Sequence, residues 1–148
     1  MIEVFELCAS VASGMLAGAL LTEAFILVPY WKRLEVAEFL RLHPTLGPSL
    51  YRFFAPLTVT GTLLPIVAYV LVAFSSGEVF SAWLISAAAA LTLLVLYFAF
   101  FRRANALFAS TTDTQQAATT LAAWDKVHKV RTIVACMGFV AAVIALTS

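Results

Sequence analysis

Trp124, His128 and Arg131 stand at i, i+4 and i+7, just where the chain enters its last apolar run. On a helix those offsets put an aromatic plate, a titratable imidazole and a permanent cation on one face. A helix that only had to pack in a bilayer would use Leu and Ala there. A second ionisable group, Glu23, interrupts the first apolar run. Ionisable residues at membrane depth are costly and mark sites of binding or chemistry by default. Glu23 lies about 10 Å below Tyr30 at the helical rise, too short and too deep to reach water, so it is expected to be protonated or paired with an arginine. At 3.6 residues per turn it shares a face with Ala19, Ile26 and Tyr30.

The elements that must carry these residues are membrane spans. The 148 residues are 63% hydrophobic and 11% charged, where soluble domains run roughly 45–50% apolar and about 25% charged. Four apolar stretches, about 4–30, 53–74, 82–101 and 130–146, approach the length of about 20 residues that a span requires. The last is short, but the residues before it also read as helical, so that helix is expected to start in water and enter the bilayer partway. The first span has no basic residue ahead of it and is read as retained rather than cleaved. Four spans with short connections predict an all-α, antiparallel four-helix transmembrane bundle forming a single domain over 1–148.

All nine Lys and Arg residues fall between spans one and two (Lys32, Arg33, Arg41, Arg52) or between spans three and four (Arg102, Arg103, Lys126, Lys129, Arg131). The positive-inside rule then places both basic connections in the cytoplasm and both termini outside. Cations that flank spans act as topology determinants, so nucleic acid is not expected as a partner. Cys8 and Cys136 are lone thiols in apolar surroundings, read as small core residues rather than a disulfide.

Tyr30-Trp31-Lys32-Arg33 reads as an interfacial anchor. Residues 35–43 form a short amphipathic helix on the cytoplasmic surface, which Pro44 is expected to end because it disfavours the α region at His43. Pro48 suits the first turn of the next helix, and Pro56 and Pro65 predict kinks. Asp113 or Thr114 is positioned to cap the last helix. Gly14 and Gly18 form a GxxxG pair, for close packing within the bundle or for a homo-oligomer contact.

If the bundle closes, Glu23, Tyr30, Arg52, Asn105, Trp124, His128 and Arg131 collect at similar depth in its cytoplasmic half, with His43 at the rim. His128, Glu23 and Arg131 are the expected catalytic groups, and Trp124, Arg52, Asn105 and Tyr30 the expected substrate-binding ones. Such a set suits a hydrophobic small-molecule substrate drawn from the bilayer: a base near neutral pH, cations for a developing anion, and an aromatic platform. A second reading pairs His43 with His128 as ligands of a haem or metal. A third is a non-catalytic subunit or carrier, with Glu23 balanced by an arginine. No HxxxH or ExxH spacing, Gly-rich phosphate loop, CxxC or nucleophile elbow is present.

The order of features resembles the anthrone oxygenase-like family of small four-helix membrane proteins. The residues that carry the likeness are Gly14 to Gly18, Pro29-Tyr30-Trp31, His43-Pro-x-x-Gly-Pro, Arg52-Phe-Phe-Ala-Pro, Asn105 and above all Trp124-x-x-x-His128-x-x-Arg131-Thr132. The resemblance implies oxidation of phenolic polycyclic substrates by molecular oxygen, without an established cofactor.

The topology is directly testable. With Cys8 and Cys136 replaced by alanine, Arg33→Cys and Thr112→Cys are expected to react with an impermeant maleimide only after cells are opened. Ser76→Cys should react in intact cells. The reverse pattern would invert the orientation.

Overall fold

A computed structural model describes residues 2–77 and 81–147. It contains four helices long and apolar enough to cross a membrane: α1 (Ile2–Trp31), α2 (Val36–Ser76), α3 (Ala82–Ser110) and α4 (Thr114–Leu146). Each packs antiparallel on the one before it, and α4 returns to α1 to close a four-helix bundle. At 1.5 Å per residue α2 is about 60 Å long and α4 about 50 Å, well beyond a hydrocarbon layer of about 30 Å. The surplus lies at the end that carries the basic connections, called the basic end below. There α2, α3 and α4 continue past their apolar runs, while α1 ends at Trp31.

Small side chains set the packing in the apolar belt. Ala9, Ala12, Ala17, Ala87, Ala90, Ala135 and Ala142 are buried together with Ser10, Ser13 and Ser86. Helices in lipid gain little from burying apolar area against each other, so close backbone approach and dispersion hold them. A Cβ on Gly61 would meet Leu16 Cβ at 2.8 Å and the Ala12 carbonyl at 3.0 Å. Gly14 is filled from inside the chain, its Cβ position lying 2.8 Å from the Phe139 ring, whereas Gly18 faces open space. At the far end Trp83 is buried and donates its indole N–H to Glu6 Oε1 at 2.8 Å.

The helix ends follow local chemistry. Asp113 caps α4, its Oδ1 accepting from the Gln115 and Gln116 amides at 2.9 and 3.0 Å. Gly77 ends α2 in the left-handed region at φ 75°. Lys32 reaches across to α4 and, with Lys129, pairs with Asp125 Oδ2 at 2.7 and 3.2 Å. That bridge staples the end of α1 to α4.

Three expectations are corrected. Pro44 does not end a short amphipathic helix: residues 36–43 are helical, but they are the first turns of a 41-residue helix that runs through Pro44, Pro48, Pro56 and Pro65. Each proline removes one backbone donor, and the remaining ladder, held by packing on α1 and α3, carries the helix through. Cys8 is exposed on the outer face rather than in the core, and Cys136 is half-buried.

The third correction concerns Tyr30. Two segments are wound as π-helix, Glu23–Leu27 in α1 and Tyr97–Phe101 in α3. A π turn holds more residues than an α turn, so everything after it falls back in angle. Tyr30 is therefore 51% exposed although Glu23 is only 6% exposed, and Val28 and Trp31 take the buried positions instead. Pro29 lies two residues past the end of the first π segment, where its ring cannot sit over a normal α turn. No single residue accounts for the second.

Gly61→Ala should lower stability by roughly 1–3 kcal/mol through overpacking against α1, read as a drop in thermal midpoint in detergent. Gly18→Ala should leave the midpoint level or raise it. Equal behaviour of the two would show that α1 and α2 do not pack as described.

Candidate functional site

The two π segments face each other across the bundle at one level, and the unusual residues gather between them. Glu23 opens the first segment and Phe101 closes the second. Phe101 stands edge-on to Trp124, with centroids 5.3 Å apart, and to His128 at 6.3 Å. Trp124 and His128 stack face to face, 4.7 Å apart and 16° from parallel. Arg131 lays its guanidinium over the Phe101 ring, 4.8 Å from the centroid. The i, i+4, i+7 spacing thus brings its three residues to one buried face of α4.

His128 is wholly buried, at 0% exposure. Its Nε2 lies 3.2 Å from the carbonyl oxygen of Leu20, in the turn just before the first π segment. A carbonyl only accepts, so Nε2 carries the hydrogen and donates it. Thr132 Oγ1 stands 3.4 Å from the same nitrogen while donating to the His128 carbonyl at 2.9 Å. The other ring nitrogen, Nδ1, points at Glu23 Oε2 across 3.7 Å and has no hydrogen-bond partner. The carboxyl and Nδ1 thus face each other at more than hydrogen-bond distance, with the ring locked by Leu20 and the Trp124 stack. Arg131 Nε is also buried without a partner.

Beside this pair lies a cavity of about 640 Å³. Glu23, Arg131, Trp124, Phe101, Tyr97 and Phe54 form its deep wall, and Trp31, Phe39, His43, Tyr51 and Asn105 line it toward the basic end. Binding sites for small organic molecules span roughly 300–1,000 Å³ and combine apolar walls with a few polar groups. The cavity exists because facing positions are small: Gly47 and Ala55 on α2 look toward Ala106 and Ala109 on α3. Asn105 Oδ1 accepts the Trp124 indole N–H at 3.2 Å, which fixes the tryptophan that stacks on His128.

The expected site residues separate into three groups. Glu23, Arg131, Trp124 and Asn105 line the cavity. His128 stands behind the wall, so it reaches a ligand only through Glu23. Tyr30 and Arg52 point outward and do not line it. Arg52 sits about 100° round α2 from the lining residue Tyr51, and Tyr30 is turned away by the π segment. Phe101 and Tyr97 belong to the site without having been expected there, and Trp31, Phe54 and Thr132 were expected only as an anchor or motif residue, not as part of the site. Aromatic residues in an apolar run look like ordinary span residues, and only the helical register behind the Trp124 face could have pointed to them.

A pair of histidine ligands for haem or metal does not fit this arrangement. His43 lies against Phe39 and Phe108 at 5.6 and 5.3 Å. Phe39, Trp31 and Trp124 form a run of ring contacts between it and His128. Both His128 nitrogens face protein groups. Among the described residues no three His, Cys, Asp or Glu side chains cluster as a metal site.

Removing one member of a buried ionisable pair strands the other, at a cost of roughly 3–5 kcal/mol. His128→Ala is expected to destabilise on that scale, and Glu23→Gln to rescue much of the loss in the double variant. Denaturation in mixed micelles reads the coupling, and strictly additive effects would contradict the pairing. The chain matches no protein-family model, no curated protein and no solved structure.

Proposed function

We propose that the protein is an integral membrane oxidoreductase that oxidises a hydrophobic phenolic or polycyclic aromatic substrate with molecular oxygen. The observation that carries this reading is an aromatic-walled cavity whose deep wall holds one carboxyl, backed by an imidazole, beside one guanidinium. The resemblance through Trp124-x-x-x-His128-x-x-Arg131-Thr132 supports the same reaction class. In the orientation that the basic connections favour, the cavity belongs to the cytoplasmic leaflet.

In this mechanism the planar substrate lies against Trp124, Phe101 and Tyr97, with a ring-activated methylene next to a phenol or carbonyl oxygen. The Glu23 carboxylate takes a proton from the methylene. Arg131 stabilises the oxygen on which negative charge develops. The resulting carbanion gives its electron pair to oxygen, forming a carbon–oxygen bond and a peroxide anion. Glu23 returns the proton to the peroxide, and loss of water, with the second methylene hydrogen, leaves a carbonyl. The sum is CH2 plus O2 giving C=O plus H2O, with no other reductant or oxidant. His128 is a positioning residue: it holds Glu23 toward the cavity but does not touch substrate.

With 1,8-dihydroxyanthrone in membranes that hold the protein, oxygen uptake and anthraquinone formation should rise together, one for one, above the protein-free rate. Glu23→Gln should lower the increment by about 10²–10⁴-fold, the range for loss of a general base. Arg131→Gln should lower it too, whereas Arg52→Gln should not. Full activity in Glu23→Gln would sink the mechanism.

A further inference from the structure

We infer that the substrate of this cavity carries an aliphatic tail, which leaves sideways into the lipid between α2 and α3 while the aromatic head lies at Glu23 and Arg131. This deepens the proposed function and rests on it. The cavity walls contributed by α1 and α4 are buried throughout: Glu23, Trp31, Leu121, Trp124 and Arg131. Exposure is confined to the other two helices, where Val59 on α2 is 53% exposed and Phe98 on α3 is 60% exposed while both line the cavity. The chamber is therefore open along one side only, through a slot between α2 and α3.

The depth of that slot decides what faces it. Val59 lies seven residues beyond Arg52, the last charged residue of α2 before the apolar belt, which is about 10 Å at the helical rise. Phe98 lies four residues on the apolar side of Arg102, about 6 Å. Hydrocarbon, not water, meets the slot at that level. The slot also continues past Arg52 and Arg102, where the lining residues Pro48, Tyr51, Ala106 and Ala109 are exposed at the basic end. A ligand confined to the chamber, or a wholly polar one entering from that end, would need no opening at the depth of Val59 and Phe98. A planar head with an alkyl tail satisfies both ends. The head exchanges lipid for aromatic walls, a carboxyl and a guanidinium, and the tail keeps its hydrocarbon surroundings without cost. A chain of about ten carbons spans the same 10 Å. Such a substrate is a bilayer-dissolved phenol or quinol, and its product must be carried off by a reaction that also works on membrane-dissolved quinone-like compounds.

The probes are 3-decyl-1,8-dihydroxyanthraquinone and its 3-methyl counterpart. Their binding to the protein in phosphatidylcholine nanodiscs is read by quenching of tryptophan fluorescence, with concentrations expressed per lipid so that partitioning cancels. Ala55→Phe and Val59→Phe place a ring in the slot from α2, and Leu94→Phe does so from α3, so the result does not hang on one variant folding. The inference predicts that these variants weaken the decyl probe about tenfold and the methyl probe less than about twofold. Glu23→Gln should weaken both. If slot variants weaken both probes alike, or neither, while Glu23→Gln still weakens both, the tail inference fails and the site at Glu23 stands. If the wild type binds neither probe, or Glu23→Gln binds both as the wild type does, the proposed function fails and takes the tail with it.

Discussion

A carboxyl held inside an apolar bundle is the constraint around which the rest of this protein is arranged. Taking such a group out of water costs several kcal/mol unless something answers it. Here the answer is assembled from three helices. Glu23 comes from α1, the imidazole of His128 and the cation of Arg131 from α4, and the ring under that cation, Phe101, from α3. His128 in turn is held by the Leu20 carbonyl on α1, which loops the interaction back to the helix that carries the acid. None of these groups keeps its place if the bundle loosens at this level. Packing and site are therefore one problem.

The two halves of the bundle meet that problem differently. Away from the basic end, alanine, serine and glycine let the backbones approach closely, and the space left among them is hardly larger than one water molecule. Around the site the same helices switch to large rings: Trp31, Phe39, Phe101, Phe108 and Trp124 form one buried cluster. Large rings cannot interlock as small residues do, and where they face glycine and alanine on α2 and α3 they leave a chamber. The π segments work in the same sense. The widened turn of α1 brings Val28 and Trp31 inward after Glu23, and the widened turn of α3 ends on the buried ring of Phe101. The tight half supplies rigidity, and the aromatic half supplies room.

Much of this was legible in the chain. Long apolar runs and the placement of every Lys and Arg marked four helices and their basic ends, because a charge in hydrocarbon is too costly to occur by accident. The 3.6-residue period brought Trp124, His128 and Arg131 to one face, and Asp113 stood where a cap was needed. What could not be read depends on long-range packing. Prolines at 44 and 48 look like helix ends, yet neighbouring helices hold α2 through them. A π turn has no residue code, so the register after Glu23 was out by enough to bring Tyr30 inward in expectation and Trp31 in fact. Arg52 illustrates the same limit, for a face about 100° wide separates a cavity residue from a surface one. That Glu23 lines the cavity while His128 stands behind it also came only with coordinates, since spacing says which side chains share a face and not which stands in front.

The arrangement of that pair is open to a direct measurement. The chain has two histidines, so nitrogen-15 magnetic resonance of labelled protein in bilayers, with His43→Gln to leave a single ring, reads the imidazole of His128 alone. The account predicts a hydrogen on Nε2 that resists exchange with solvent, and an Nδ1 resonance that moves when Glu23 is replaced by glutamine. A hydrogen on Nδ1 in rapid exchange, with a spectrum indifferent to Glu23, would contradict it.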